Sequence, residues 1–151
     1  MPAAPVQANQ PVRLPASRLL LAGAIAIVAS IVANLIIRWL GLLLIGDQSN
    51  FNPLATIWSI IIFTTIFIGA ATLIFIWINR SAANPPHAIR RAALIGFIVT
   101  LIPDIFLLFM AGQTTPMGTP TVAGVLLLII MHIASYAIVL WAFLGWAPRS
   151  A

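Results

Sequence analysis

Four stretches of the chain, at about residues 19–45, 54–78, 89–111 and 121–146, are apolar almost from end to end. Each exceeds the roughly 20 residues a helix needs to cross about 30 Å of hydrocarbon. The surplus implies tilt, or ends that protrude into the headgroups. Hydrocarbon offers no water to backbone polar groups, so only helices and closed barrels span it. Barrel strands alternate polar and apolar positions, and these runs do not. Helices are therefore predicted despite the many Ile and Val residues, which elsewhere favour strands. Composition closes off the alternatives. Of the 151 residues 62% are hydrophobic and 6% are charged, against about a quarter charged in an ordinary soluble domain. A soluble fold of this size leaves too much surface exposed to hide that much apolar side chain. A soluble enzyme and a disordered chain are excluded. With no cysteine, so are a disulfide scaffold, thiol chemistry and thiolate metal sites.

The connections carry turn chemistry. GDQSNFNP (46–53) joins the first two spans, NRSAANPPH (79–87) the middle pair and GQTTPMGTP (112–120) the last two. Loops this short make consecutive helices antiparallel neighbours. The fold class is thus all-α, an integral membrane four-helix up-down bundle over residues 18–147. Residues 1–17 carry prolines at 2, 5, 11 and 15, which oppose a stable helix, and are expected to form a flexible Pro/Ala-rich tail. The first apolar run is too long for a signal-peptide core and is expected to be a retained span.

Charge sets the orientation. The basic residues are seven arginines, and the only acids are Asp47 and Asp104. Arg13, Arg18, Arg80, Arg90, Arg91 and Arg149 flank the tail, the second connection and the C-terminus. The first and third connections carry no arginine. The positive-inside rule puts both termini and the middle connection in the cytoplasm. Trp39 and Trp58 then fall toward the outer interface, and Trp77, Trp141 and Trp146 toward the inner one. The arginines flank apolar runs and form no soluble basic patch, so nucleic-acid binding is not expected.

Polar residues inside spans are costly and therefore informative. Ser30, Asn34 and Arg38 follow a four-residue spacing on the first helix, and Gly96, Thr100 and Asp104 do so on the third. Gly124, His132 and Tyr136 repeat it on the fourth, with Ser135 beside them. Residues so spaced share a face. Thr64 and Thr65 sit mid-span on the second helix. Arg38 and Asp104 both lie roughly 10–12 Å below the outer rim at 1.5 Å per residue. Asn34, Thr64, Thr65, Thr100 and His132 lie deeper, near one level. An intramembrane polar cluster of Asn34, Arg38, Thr64, Thr65, Thr100, Asp104 and His132 is expected, with Arg38 and Asp104 as an ion pair. Gly69, Gly96 and Gly124 are expected to admit close helix contacts, and Pro103 to kink the third helix. His87 and His132 form no metal motif, and no metal or cofactor is expected.

Asn34 and Arg38 late in the first span, FNPL (51–54) opening the second, IPD (102–104) in the third and MH (131–132) in the fourth occur in that order. Over about residues 18–146 this resembles a bacterial family of small four-span membrane proteins catalogued only as a domain of unknown function. The resemblance implies the four-helix architecture and no activity.

A non-enzymatic bacterial inner-membrane protein is the expected function, either free-standing or an accessory subunit of a membrane complex. Its partners would be the lipid bilayer and other membrane proteins or further copies of the chain. The alternative is a small proton- or ion-coupled transporter using Asp104, Arg38 and His132. An intramembrane hydrolase built on Ser135 and His132 would need an acid beside the histidine.

Overall fold

The computed structural model describes residues 13–149. Four helices in it are long and apolar enough to cross a membrane: α1 (Ala16–Ile45), α3 (Ile57–Ser81), α4 (Pro85–Phe109) and α5 (Val122–Leu140), the last continued by a π-helical turn, Trp141–Trp146. A single turn, α2 (Asn52–Ala55), precedes α3, and α6 (Ala147–Arg149) ends the described chain. No strand occurs among the described residues, only isolated bridges. Helix α1 packs against α3 and α5, and α4 packs against the same two. The bundle is therefore a square with α1 and α4 on opposite corners. The chain is an all-α, multi-pass membrane protein with a four-helix bundle.

The element ends differ from the sequence expectation for local reasons. FNPL does not open the second span. Pro53 sits in the first turn of α2, whose helix breaks at Thr56, and the Thr56 side chain then caps α3 by accepting from the Ser59 N–H at 3.4 Å. Pro85 and Pro86 open α4, where their missing N–H groups cost nothing. Helix α4 continues through Pro103. Residues 1–12 of the expected tail lie outside the described residues, but residues 13–15 are fixed. The Asn79 amide donates to the Leu14 carbonyl at 2.9 Å and accepts from its N–H at 3.3 Å. The Arg13 guanidinium donates to the carbonyls of Asn79, Arg80 and Ala82. Those carbonyls belong to the end of α3, where no further turn supplies a donor.

The surface is apolar outward. Leu44 is 87% exposed, Phe109 80% and Trp77 68%, which suits lipid and would be untenable in water. Two apolar cores lie within. The one at the arginine end gathers Leu19, Ala22, Ala26, Phe75, Ile89 and Phe143, with Phe75 and Phe143 edge-to-face at 4.9 Å. The other gathers Phe51, Leu54, Ile60, Leu107, Val125 and Leu128.

The arginine-free end is closed by its two loops. Asn52 N–H donates to Met117 O at 2.9 Å and Thr119 N–H to Asn50 O at 2.8 Å. At the crossing Gly118 has φ +97°, and a Cβ there would strike the Asn50 carbonyl, so only glycine fits. Gln48, 7% exposed, accepts from the Thr121 hydroxyl at 2.8 Å. Asp47 accepts from the Ser49 hydroxyl at 2.7 Å and the Ser49 N–H at 3.0 Å. These bonds hold its carboxyl below the ordinary carboxylate value.

The close helix contacts fall on other glycines than expected. Nothing lies near the Cβ positions of Gly69 and Gly96, and Gly124 makes room for the Gln48 side chain rather than a helix. The tight sites are Gly23, facing Thr72, and Gly41, facing Leu127. Gly23→Ala should therefore destabilise the bundle by about 1–3 kcal/mol through overpacking. Gly96→Ala, in open space, should be neutral or stabilising by up to about 1 kcal/mol from helix propensity. Denaturant unfolding of the purified protein in mixed micelles measures both, and equal effects would refute the assignment.

Candidate functional site

Between the two apolar cores lies a layer of polar side chains contributed mainly by α1, α4 and α5. Helix geometry explains the grouping. Ser30 and Asn34 share a face of α1, and both are buried, at 0% and 5% exposure. His132 and Ser135 lie three apart on α5, again on one face. Asn34 Nδ2 donates to Ser135 Oγ at 3.0 Å, joining α1 to α5. One turn away His132 meets Asp104, joining α5 to α4.

That second contact is the chemical centre of the layer. Asp104 is 4% exposed. Its Oδ2 lies 3.0 Å from His132 Nδ1, and the same nitrogen lies 2.9 Å from the Leu128 carbonyl oxygen. A single ring N–H cannot point fully at both acceptors. With the ring nitrogen bonded to the carbonyl, Asp104 Oδ2 is left without a hydrogen-bond partner of its own. Asn34 Oδ1 and Ser30 Oγ are also buried without partners. A buried polar atom lacking a partner carries a cost of about 1–3 kcal/mol, and three of them concentrate in this layer. The His132 side chain keeps 33% of its surface open.

The expected Arg38–Asp104 ion pair does not form. Arg38 donates through Nε to the Leu54 carbonyl at 2.8 Å and through Nη2 to the Ala55 carbonyl at 3.2 Å. Two causes act together. Helices α1 and α4 occupy opposite corners, so equal depth does not bring their side chains together. And α2 ends beside Arg38, offering two terminal carbonyls to the guanidinium fork.

The threonines also divide. Thr100 is half-buried, and its hydroxyl donates to the Phe97 carbonyl of its own helix at 2.8 Å. Thr64 is half-buried, whereas Thr65 is exposed on the outward face; neither joins the Asp104–His132 contact. The structure thus brings Asn34, Asp104 and His132 into the layer, with Ser30 and Ser135 beside them. Arg38 goes to α2, Thr100 to its own backbone, and Thr65 to the outside. Tyr136 stacks on Phe97 with ring centres 4.7 Å apart, closing the α4–α5 seam below the histidine.

Three buried polar residues escaped the sequence reading, the loop residue Gln48 and two on α3. Thr72 is 5% exposed and donates to the Ile68 carbonyl at 2.8 Å; Asn79 is 4% exposed and anchors Leu14. Their signal was the spacing of Ile68, Thr72, Phe75 and Asn79, which places all four on one face of α3.

Among the described residues no group of three or more His, Cys, Asp or Glu side chains is placed to hold a metal ion. Ser135 Oγ is engaged by Asn34 and makes no hydrogen bond to His132. The layer therefore has an acid–imidazole contact without a nucleophile aligned on it. What such a contact can do is bind a proton and pass it between oxygen and nitrogen. No protein-family model, curated protein or solved structure matches the chain.

The two polar attachments are separable. Asp104→Asn and His132→Gln should be coupled by about 0.5–3 kcal/mol in a double-mutant cycle, as residues in contact are. Arg38→Gln and Asp104→Asn should add within about 0.5 kcal/mol, having no shared partner. Unfolding in mixed micelles reads both cycles. Coupling of Arg38 to Asp104 would restore the ion pair and refute the assignment.

Proposed function

We propose that the protein is a non-enzymatic multi-pass protein of the bacterial inner membrane, acting alone or as an accessory subunit of a membrane complex. Both termini and the 79–88 connection lie in the cytoplasm. The observation that carries this reading is the outward surface. Large apolar side chains such as Leu44, Phe109, Trp77 and Leu73 stand exposed on helices of membrane length, and the connections between spans are too short to hold a catalytic domain. The orientation rests on Arg13, Arg80, Arg90 and Arg91 at one end and their absence from the loops at the other. Membership of the four-span family of unknown function, on Asn34, Arg38, FNPL, IPD and MH, is part of the same proposal.

A second reading is a proton- or ion-coupled carrier. The observation favouring it is the buried Asp104 carboxylate against His132, with Oδ2 otherwise unpartnered. Arg38, held on α2, drops out of that machinery. The protein reconstituted in liposomes decides between the readings. A carrier should show proton movement under an imposed cation gradient that Asp104→Asn abolishes. Proton fluxes no faster than in empty vesicles favour the first reading.

Orientation has its own test, eased by the absence of native cysteine. Ser49, in the first connection, and Ser81, the last residue of α3, are both exposed. In intact cells an impermeant thiol reagent should label Ser49→Cys and leave Ser81→Cys untouched until the membrane is opened. The reverse pattern would invert the topology. Purification from native membranes, with identification of co-purifying proteins, separates a free-standing protein from a subunit.

A further inference from the structure

At the arginine end a cleft of about 440 Å³ opens between the start of α4, the π-helical turn and the segment leading into α1. Its inner wall is apolar. Ile89 and Phe143 are almost fully buried, at 3% and 1% exposure, and Leu14 and Leu144 are half-buried beside them. Its lip is polar and basic, carrying His87 and Arg90, both exposed. Arg90 makes no ion pair among the described residues, where the one acid–base contact is His132–Asp104. The two acids of the chain are elsewhere, Asp47 in the loop at the opposite end and Asp104 in the polar layer. Arg13, Arg18, Arg80 and Arg91 belong to the same end as the cleft.

The backbone contributes little here. Pro85 and Pro86 have no N–H, the His87 N–H goes to Asn84 Oδ1 at 3.3 Å, and the Ala88 N–H goes to the Asn84 carbonyl at 3.0 Å. The first turn of α4 is therefore spent. An occupant must be recognised by the side chains: an unpaired guanidinium at the lip and an apolar wall beneath it. That combination sits where the helix ends meet the headgroup region of a bilayer.

We propose that this cleft binds the headgroup of an anionic phospholipid. Arg90, with His87, takes the phosphodiester, for which a guanidinium fork is the fitting donor. Leu14 and Leu144, the half-buried members of the wall, lie against the glycerol and the first methylenes of the chains. A free phosphate would leave that apolar wall wet, which favours the lipid as source. The site depends on the chain spanning a membrane, and on neither proposed activity nor orientation.

The test is a titration of the full chain, purified in neutral detergent, with phosphatidylglycerol and separately with phosphatidylcholine, bound lipid being counted by native mass spectrometry. Phosphatidylglycerol should bind about tenfold more tightly, the size of one good charge-assisted contact. Arg90→Gln should remove about that tenfold, and Arg90→Lys part of it. Arg91→Gln removes the same charge from the neighbouring exposed position outside the cleft, and should change affinity less than about threefold. Glycerol phosphate at matching concentration should not displace the lipid. Equal losses for Arg90→Gln and Arg91→Gln would mean a diffuse basic surface and overturn the site. So would equal binding of the two lipids, or displacement by glycerol phosphate. Position 90 is exposed, so its variants should keep the parent's helical circular dichroism, which the same preparations report.

Discussion

A polar atom inside hydrocarbon has no water to fall back on, and the placement of this chain's polar side chains follows from that. With only Asp47 and Asp104 as acids, charged partners are scarce, and backbone carbonyls become the main acceptors. Thr72 and Thr100 turn back to carbonyls of their own helices. Arg38 takes the last two carbonyls of α2, and Arg13 takes those at the end of α3. In each arginine case a helix end supplies acceptors that no further turn can satisfy. The guanidinium keeps its charge but gains directed hydrogen bonds, and the partly negative helix terminus offsets that charge.

The Asp104–His132 contact solves the same problem differently. With a carboxylate and an imidazolium the pair is net neutral. With a carboxylic acid and a neutral imidazole it is again net neutral. One proton can therefore sit on either residue without placing a net charge in the layer, which would cost about 2.5–3.5 kcal/mol at mid-helix on the insertion scale. An Arg38–Asp104 pair would have lacked this freedom, because a guanidinium does not give up its proton. The observed pairing thus sets the acid beside a group that can also carry a proton, which a guanidinium partner would not allow. The Leu128 carbonyl, 2.9 Å from the same ring nitrogen, competes with the carboxylate for the N–H, so neither arrangement satisfies every atom.

The spans and the square bundle were legible because length and hydropathy decide them without reference to side-chain direction. What failed was azimuth. Arg38 and Asp104 were matched by depth, but depth says nothing about which corner a helix occupies or which way a face turns. The square puts α1 and α4 across a diagonal, as short loops between consecutive neighbours imply, but how each face turns within its corner is decided only by the packing. The break at Thr56 was likewise hidden, because Asn-Pro reads equally well as the start of a long helix and as a separate turn. Glycines misled for a related reason. Gly96 fits a four-residue rhythm but faces open space, whereas Gly23 meets Thr72. Helical spacing identifies a shared face, not what the face touches. Asn34 is buried and His132 partly so, in keeping with the cost of an amide or an imidazole in lipid.

The two ends of the bundle are held by different chemistry, and that difference has consequences. At the arginine-free end the loops are joined main chain to main chain, with Gly118 packed on the Asn50 carbonyl and Gln48 buried beneath them. Such a closure uses the backbone itself and leaves little room to rearrange. At the arginine end the entering segment is held by the side chains of Asn79 and Arg13, and a cleft remains beside it. Contacts made by a few long side chains open at lower free energy than a paired and buried loop. The arginine end is therefore the more easily opened of the two. The opposite end, joined through its backbone with Gly118 against the Asn50 carbonyl, is the more tightly tied of the two.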